Sequence, residues 1–289
     1  MPRKIICLFL FFYSISTFAL NSDTTHEGSG TKREKFRKLK LALTYSSDNV
    51  FKGRKAGSSI PVISPMIKYT TKPGLFAQVS LTNTPGKKAT LFDELDTRIG
   101  WIFDLSDKWD ASFSYAHYFF NSKSARINAT VQNDLDLSLG FDWNVLYSRL
   151  IADYSSGSSS FSKKGKSISS HTKDFSVTFM NLHDFSIDLT KKSKLIITPE
   201  ADLLWGTQNF LSAFNGKTDS AQYQKQVSAF SLTAYVLYLD VKYKRGKFYI
   251  LLSPSYTIPQ NVPTGESSSP YFVMSGSIYY LFRSKSKKS

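Results

Sequence analysis

From residue 39 to residue 282, apolar and polar positions alternate with a period of two in twelve successive segments. That period belongs to strands with one apolar and one polar face. It is clearest over 134–144, where Leu135, Leu137, Leu139, Phe141 and Trp143 share one face and Asp134, Asp136, Ser138, Gly140 and Asp142 the other. In 109–120, Trp109, Phe113, Tyr115 and Phe119 oppose Asp110, Ser112 and Ser114. In 94–104, Leu95, Ile99, Trp101 and Phe103 oppose Glu94, Asp96 and Arg98, and in 195–206, Leu195, Ile197, Leu203 and Trp205 oppose Thr198, Glu200 and Asp202. Odd-numbered apolar positions run unbroken from Phe175 to Leu189, which predicts one long strand over 173–189. Two segments are weaker. Pro61 and Pro65 predict irregularity in 60–70, and the parity of 229–243 shifts partway, as a bulge would cause.

The joints between these segments alternate in length. Short ones fall at Thr71–Gly74, Leu105–Lys108, Asn144–Val145, Lys191–Ser193 and Lys244–Gly246. Long ones fall near 47–59, 83–91, 121–131, 155–172, 206–227 and 258–269. A soluble sandwich has no reason to sort its connections in this way. An up-and-down barrel in an outer membrane does, with tight turns in the periplasm and long loops outside. The expected fold is therefore all-β, a transmembrane antiparallel barrel of about twelve strands over residues 38–282. Tyr45, Trp101, Trp109, Phe119, Trp143, Tyr154, Trp205 and Tyr256 stand near strand ends, as interfacial girdles require. The Ser-rich joint 155–172 reads as a solvated, mobile loop.

Composition adds location. Arg3 and Lys4 precede an apolar run to Leu20, with Thr17 and Ala19 as small residues at a cleavage site, so 1–20 reads as a secretory signal. Residues 21–37 lack periodicity and form a flexible lead; 283–289 form a basic tail. The one cysteine, Cys7, lies in the signal, so the mature chain has no thiol chemistry. No other run approaches the length of a membrane-spanning helix. Net charge is +15, but the basic residues collect in turns, loops and tail, not on one face. Anionic lipid headgroups are the expected partner, not nucleic acid. The last strand ends at Phe282, an aromatic of the kind that barrel-assembly machinery recognises, although seven residues follow it.

Candidate chemistry lies on the polar faces. Parity turns Glu94, Asp96, Asp110, Asp134, Asp136, Asp142, Glu200 and Asp202 inward, with Asp104, Asp153 and Asp188, against two clear cations, Arg98 and Arg149. Rings of carboxylates attract cations, so these residues are the pore-lining candidates of a cation-preferring passage. His117 and His183 fall on the outward parity, and no nucleophile motif, metal-ligand spacing or dinucleotide fingerprint appears. The chain is expected to be no enzyme and to hold no cofactor or metal. Its expected role is passive diffusion of small solutes; the alternative is a non-conducting barrel that presents its loops.

Ser46-Ser47-Asp48-Asn49-Val50-Phe51-Lys52-Gly53 resembles the opening signature of the TorF-type porin family, a Tyr-Val-Phe-Arg-Gly-like run, with Asn49 and Lys52 where Tyr and Arg are usual. The resemblance continues through Gly74-Leu75-Phe76-Ala77-Gln78-Val79, Glu94-Leu95-Asp96 and Gly100-Trp101, and covers roughly 43–120. It implies an outer-membrane barrel acting as a channel and carries over no catalytic residue.

Overall fold

The structure, a computed structural model, describes residues 37–55, 59–85, 92–121, 130–163, 166–215 and 221–284. The signal at 1–20, the lead except for Arg37 and the tail beyond Ser284 lie outside the described residues. The elements are β1 (Lys38–Ser46), β2 (Val50–Phe51), β3 (Arg54–Lys55), β4 (Val62–Thr70), β5 (Leu75–Thr82), β6 (Glu94–Asp104), β7 (Trp109–Phe120) and β8 (Asn133–Asp142). There follow β9 (Tyr147–Lys163), β10 (Lys166–Leu182), β11 (Phe185–Thr190), β12 (Ser193–Gly206), α1 (Asn209–Asn215), α2 (Ala221–Ser228), β13 (Ser231–Arg245), β14 (Phe248–Pro259) and β15 (Tyr271–Arg283). Every pairing is antiparallel. The sheet runs from β10 through β9 to β4, then β1, β15, β14, β13 and β12, and closes by pairing β10 with β12. With β11 continuing β10, this is a closed barrel of twelve staves.

Parity decides the wall. Leu41, Leu43, Ile67, Val79, Ile99, Phe113, Leu137, Leu150, Leu237 and Ile278 are exposed on the outside, while their strand neighbours turn inward and are largely buried. Aromatic residues cluster near the tight turns: Trp101 against Phe103, and Phe141 between Trp109 and Trp143, all with ring centroids 4.5 Å apart. Trp101 donates its indole N–H to the Pro73 carbonyl at 2.9 Å.

Three irregularities have definite causes. First, the irregularity expected over 60–70 is confined to one side of β4. Pro65 keeps its place opposite Leu43, and only the ladder to β5 is interrupted. Odd-numbered residues of β4 bond toward β5, as Ile63 and Asn83 do in both directions, and Pro65 has no N–H to give there. Second, β10 and β11 break at His183–Asp184 but keep one register against β12. His183 donates to the Pro199 carbonyl at 3.2 Å, and Pro199 cannot return the bond. The long strand expected over 173–189 is thus one stave with a proline-made gap. Third, the parity shift in 229–243 is a bulge: Leu204 pairs with Ala234 and Trp205 with Leu232, which leaves Thr233 over.

The segment 155–172 is a correction. Instead of a loop, β9 and β10 each run for 17 residues and pair as far as Lys163 with Lys166. Backbone hydrogen bonds close this ladder whatever the side chains are, so Ser-rich composition misleads here. The other long joints that the structure describes fold back over and into the barrel mouth. An apolar cluster lies there, built from Phe51, Ala116, Tyr118, Val131, Phe210, Leu211, Tyr223 and Val227.

Candidate functional site: the charged lumen

After β1, residues 50–55 form the β2–β3 hairpin, which crosses the lumen. Lys52 and Gly53 both have positive φ, 48° and 74°, the two-residue turn whose twist suits a tight β-hairpin. A Cβ on Gly53 would lie 2.6 Å from that of Ala234, so the tip rests directly on the β13 wall. Asp48 braces the base, its Oδ1 accepting from the backbone N–H groups of Asn49 and Ile60, both at 3.0 Å. Arg54 is almost fully buried and spends its donors on the far rim: Gln208 Oε1 at 2.6 Å, the Thr233 carbonyl at 2.8 Å and the Gln260 carbonyl at 2.6 Å. The Thr233 carbonyl, at the β13 bulge, also accepts from the Gln260 backbone N–H at 2.7 Å.

Helix α1 packs on the hairpin, Phe210 meeting Phe51 edge to face at 4.9 Å. Asp174 of β10 fixes the start of α1, accepting from the backbone N–H of Asn209 at 2.6 Å and of Phe210 at 2.9 Å. Hairpin and helices together occupy the loop end of the barrel.

Beneath them, three carboxylates converge. Asp134 and Asp136 of β8 and Asp153 of β9 bring one oxygen each within 4.8 Å of one another. Such a donor set suits a divalent cation, but protein cations already occupy it. Lys52 is ion-paired with Asp153 and donates to Ser155 Oγ at 2.9 Å. Arg98 is ion-paired with Asp136, reaches Asp134 at 3.4 Å and donates to Tyr118 Oη at 3.0 Å. On the adjoining wall Arg149 donates to Asp110 Oδ1 at 2.5 Å and to Tyr147 Oη at 2.8 Å through Nε.

All ten candidates sit on the inward parity, but they do different things. Asp110, Asp134, Asp136, Arg98 and Arg149 make the two ion-pair networks above. Asp142 accepts from the Asn144 backbone N–H at 2.7 Å and stabilises a tight turn, away from the middle of the lumen. Asp96 accepts from Ser80 at 3.2 Å, and Glu94 is buried nearby on β6. Glu200 and Asp202 stand on β12 without an ion pair among the described residues. His117 stays on the outward parity, Nδ1 2.8 Å from Asn133 Oδ1.

The expectation of only two inward cations is corrected. Lys52 enters from a loop, and Lys40, Lys68, Lys242 and Lys244 turn inward at the tight-turn end. Lys40 lies 4.7 Å from the Tyr279 ring centroid, and Lys68 4.4 Å from that of Phe76. The same alternation that found the carboxylates places these lysines. Lys52 had a weaker signal, the Gly53 that follows it inside a long joint, since a two-residue hairpin turn favours Gly at its second place.

No family model matches the chain, and neither does any curated protein. Among solved structures it is similar to a NanC porin, at 9% identity and a TM-score of 0.45, over 86% of this chain and 100% of that one. It is similar to LpxR from Salmonella typhimurium at 7% identity and 0.44, over 85% and 100%. The beta domain of the Bordetella autotransporter BrkA gives 10% and 0.42, over 86% and 99%. At these identities and scores none of the three carries an argument about what this chain does.

Proposed function

We propose that this chain is a bacterial outer-membrane channel of the porin type, passing small solutes by diffusion with a preference for cations. One observation carries the reading: a closed barrel with an apolar, aromatic-fringed exterior encloses a polar lumen with carboxylates on seven consecutive staves, β6 to β10, β12 and β13. Only a closed barrel satisfies every strand hydrogen bond in lipid, and such an exterior in water would be far beyond an ordinary apolar patch. The tight turns then face the periplasm and the hairpin, the helices and the β9–β10 ribbon face outward. Lys72, Lys108, Lys191, Lys192 and Lys247 stand in the tight turns at the periplasmic end, within reach of anionic headgroups, and β15 is the segment for barrel-assembly machinery to receive. The chain works without a cofactor, and we propose no enzymatic step. The resemblance of 46–53 to the TorF-type signature agrees with this reading and falls on the lumenal hairpin.

A second reading has its own observation. The β2–β3 hairpin and α1–α2 fill the loop end, as they would in a non-conducting barrel that serves to present its outer surface. Planar-bilayer recording on the purified full chain separates the two. The channel reading expects discrete steps and a reversal potential of cationic sign in a KCl gradient. Absence of conductance in the native chain and in Lys52→Gln would leave only the second reading.

A further inference from the structure

The acids of the lumen divide into those met by a protein cation and those left open. Asp134, Asp136 and Asp153 share Lys52 and Arg98, and Asp110 has Arg149. Glu200 and Asp202 form no ion pair among the described residues, although the charge of Arg149 reaches Glu200. They stand two residues apart on the inward face of β12, so their Cβ atoms are roughly 7 Å apart along the strand. Asp202 is 6% exposed, makes no hydrogen bond among the described residues, and its Oδ1 is shut off from solvent. Its ladder partners are Met180 and Val236, both buried and apolar. Glu200 faces Tyr238 and Leu182 across the two ladders.

The position matters as much as the missing partner. The next inward rung above Asp202 pairs Leu204 with Ala234, the residue on which the hairpin tip rests through Gly53. Glu200 and Asp202 therefore lie just beneath the hairpin tip, where a solute that has passed it arrives next. A carboxylate sealed from water and without an ion pair either holds a proton or takes up a cation that enters the lumen.

We propose that Glu200 and Asp202 form a resting site for a permeating monovalent cation, with K+ as the probe, and that this pair sets the charge selectivity of the passage. The proposal rests on the channel reading above. Asp134 and Asp136 hold the Arg98 side chain and Asp153 holds Lys52, so these three contribute little net field.

The test is the K+ to Cl− permeability ratio from reversal potentials of the full chain in planar bilayers under a KCl gradient. The native chain has a ratio several-fold above unity. Glu200→Gln with Asp202→Asn brings it to near unity, while the charge-preserving exchange Glu200→Asp with Asp202→Glu keeps it high. Should the double variant fail to insert, Asp202→Asn alone gives an intermediate ratio. A conducting Glu200→Gln, Asp202→Asn variant with the native ratio overturns this proposal and leaves the channel reading standing. A native chain and a Lys52→Gln variant that both lack conductance overturn the channel reading itself.

Discussion

Lys52, at the tip of the β2–β3 hairpin, is ion-paired across the lumen with Asp153 of β9, a strand on the opposite wall from the β1 stave that the hairpin leaves. Both side chains are nearly buried, at 12% and 14% exposure. The pair ties an inserted segment to the wall of the barrel. Its loss is felt twice, by the hairpin, which loses its far anchor, and by Asp153, which is left beside Asp134 and Asp136.

Lys52→Gln is therefore expected to destabilise the folded chain by about 3–5 kcal/mol, the cost of removing one partner from a buried pair. Its mean conductance is expected to exceed that of the native chain. Adding Asp153→Asn removes the stranded charge and returns most of the stability while conductance stays high. Urea unfolding in detergent micelles and single-channel recording of the two variants check this. A single variant as stable as the native chain would show that the pair does not hold the hairpin.

Gly53→Ala meets two obstacles, a φ of 74° and a Cβ 2.6 Å from that of Ala234. Together they cost roughly 1–3 kcal/mol. Gly53→Ala with Ala234→Gly relieves the second obstacle and keeps the first. The readout is trypsin cleavage at Lys52 and Arg54, now sheltered in the lumen. The single variant is cleaved faster than the native chain, and the pair of substitutions falls between.

Gly140→Ala acts on the other network. A Cβ there overlaps the Tyr147 hydroxyl and lies 2.7 Å from Asp110 Oδ2. Tyr147 must move, and with it the hydrogen bonds that hold Arg149 against Asp110. A loss of about 1–3 kcal/mol in urea unfolding is expected. Gly276→Ala, with no atom nearer than 3.6 Å to its Cβ, is expected to cost less.

Ile99 stands 61% exposed in the middle of the outward apolar face of β6. Ile99→Arg is expected to cost about 2–4 kcal/mol when the chain folds into phospholipid vesicles, as a charge on the lipid face of a barrel does. The same substitution measured in detergent micelles should cost less. Equal costs in the two media would count against lipid contact at that face.

Much of the wall was legible because a strand with one dry face writes its orientation into every second residue. The outward Leu135–Trp143 series and the inward carboxylates of β8 needed nothing more, and the slip in parity over 229–243 located the Thr233 bulge. What stayed hidden was decided by groups that alternation does not register. Backbone bonds alone extend β9 and β10 through Ser158–Ser160. The inward turn of the hairpin depends on Lys52 finding Asp153, a partner 101 residues away. Two inward acids of one strand, Asp134 and Asp142, look alike in sequence; one belongs to an ion-pair network and the other caps a turn, and only their neighbours distinguish them.

The β9–β10 ribbon has a consequence for how the molecule opens. Below Ser156 and Ser176 both strands are flanked on each side, by β8 and β12. Beyond those residues each strand has a ladder only with the other. A two-stranded ribbon is barely stable by itself in water, so its amides exchange with solvent through local opening, whereas amides in the closed ladder wait for global unfolding. Hydrogen exchange along β10 should therefore fall steeply from His171 to Val177 within one continuous strand. The surface-facing end of the protein can then change shape many times over while the barrel beneath it stays shut.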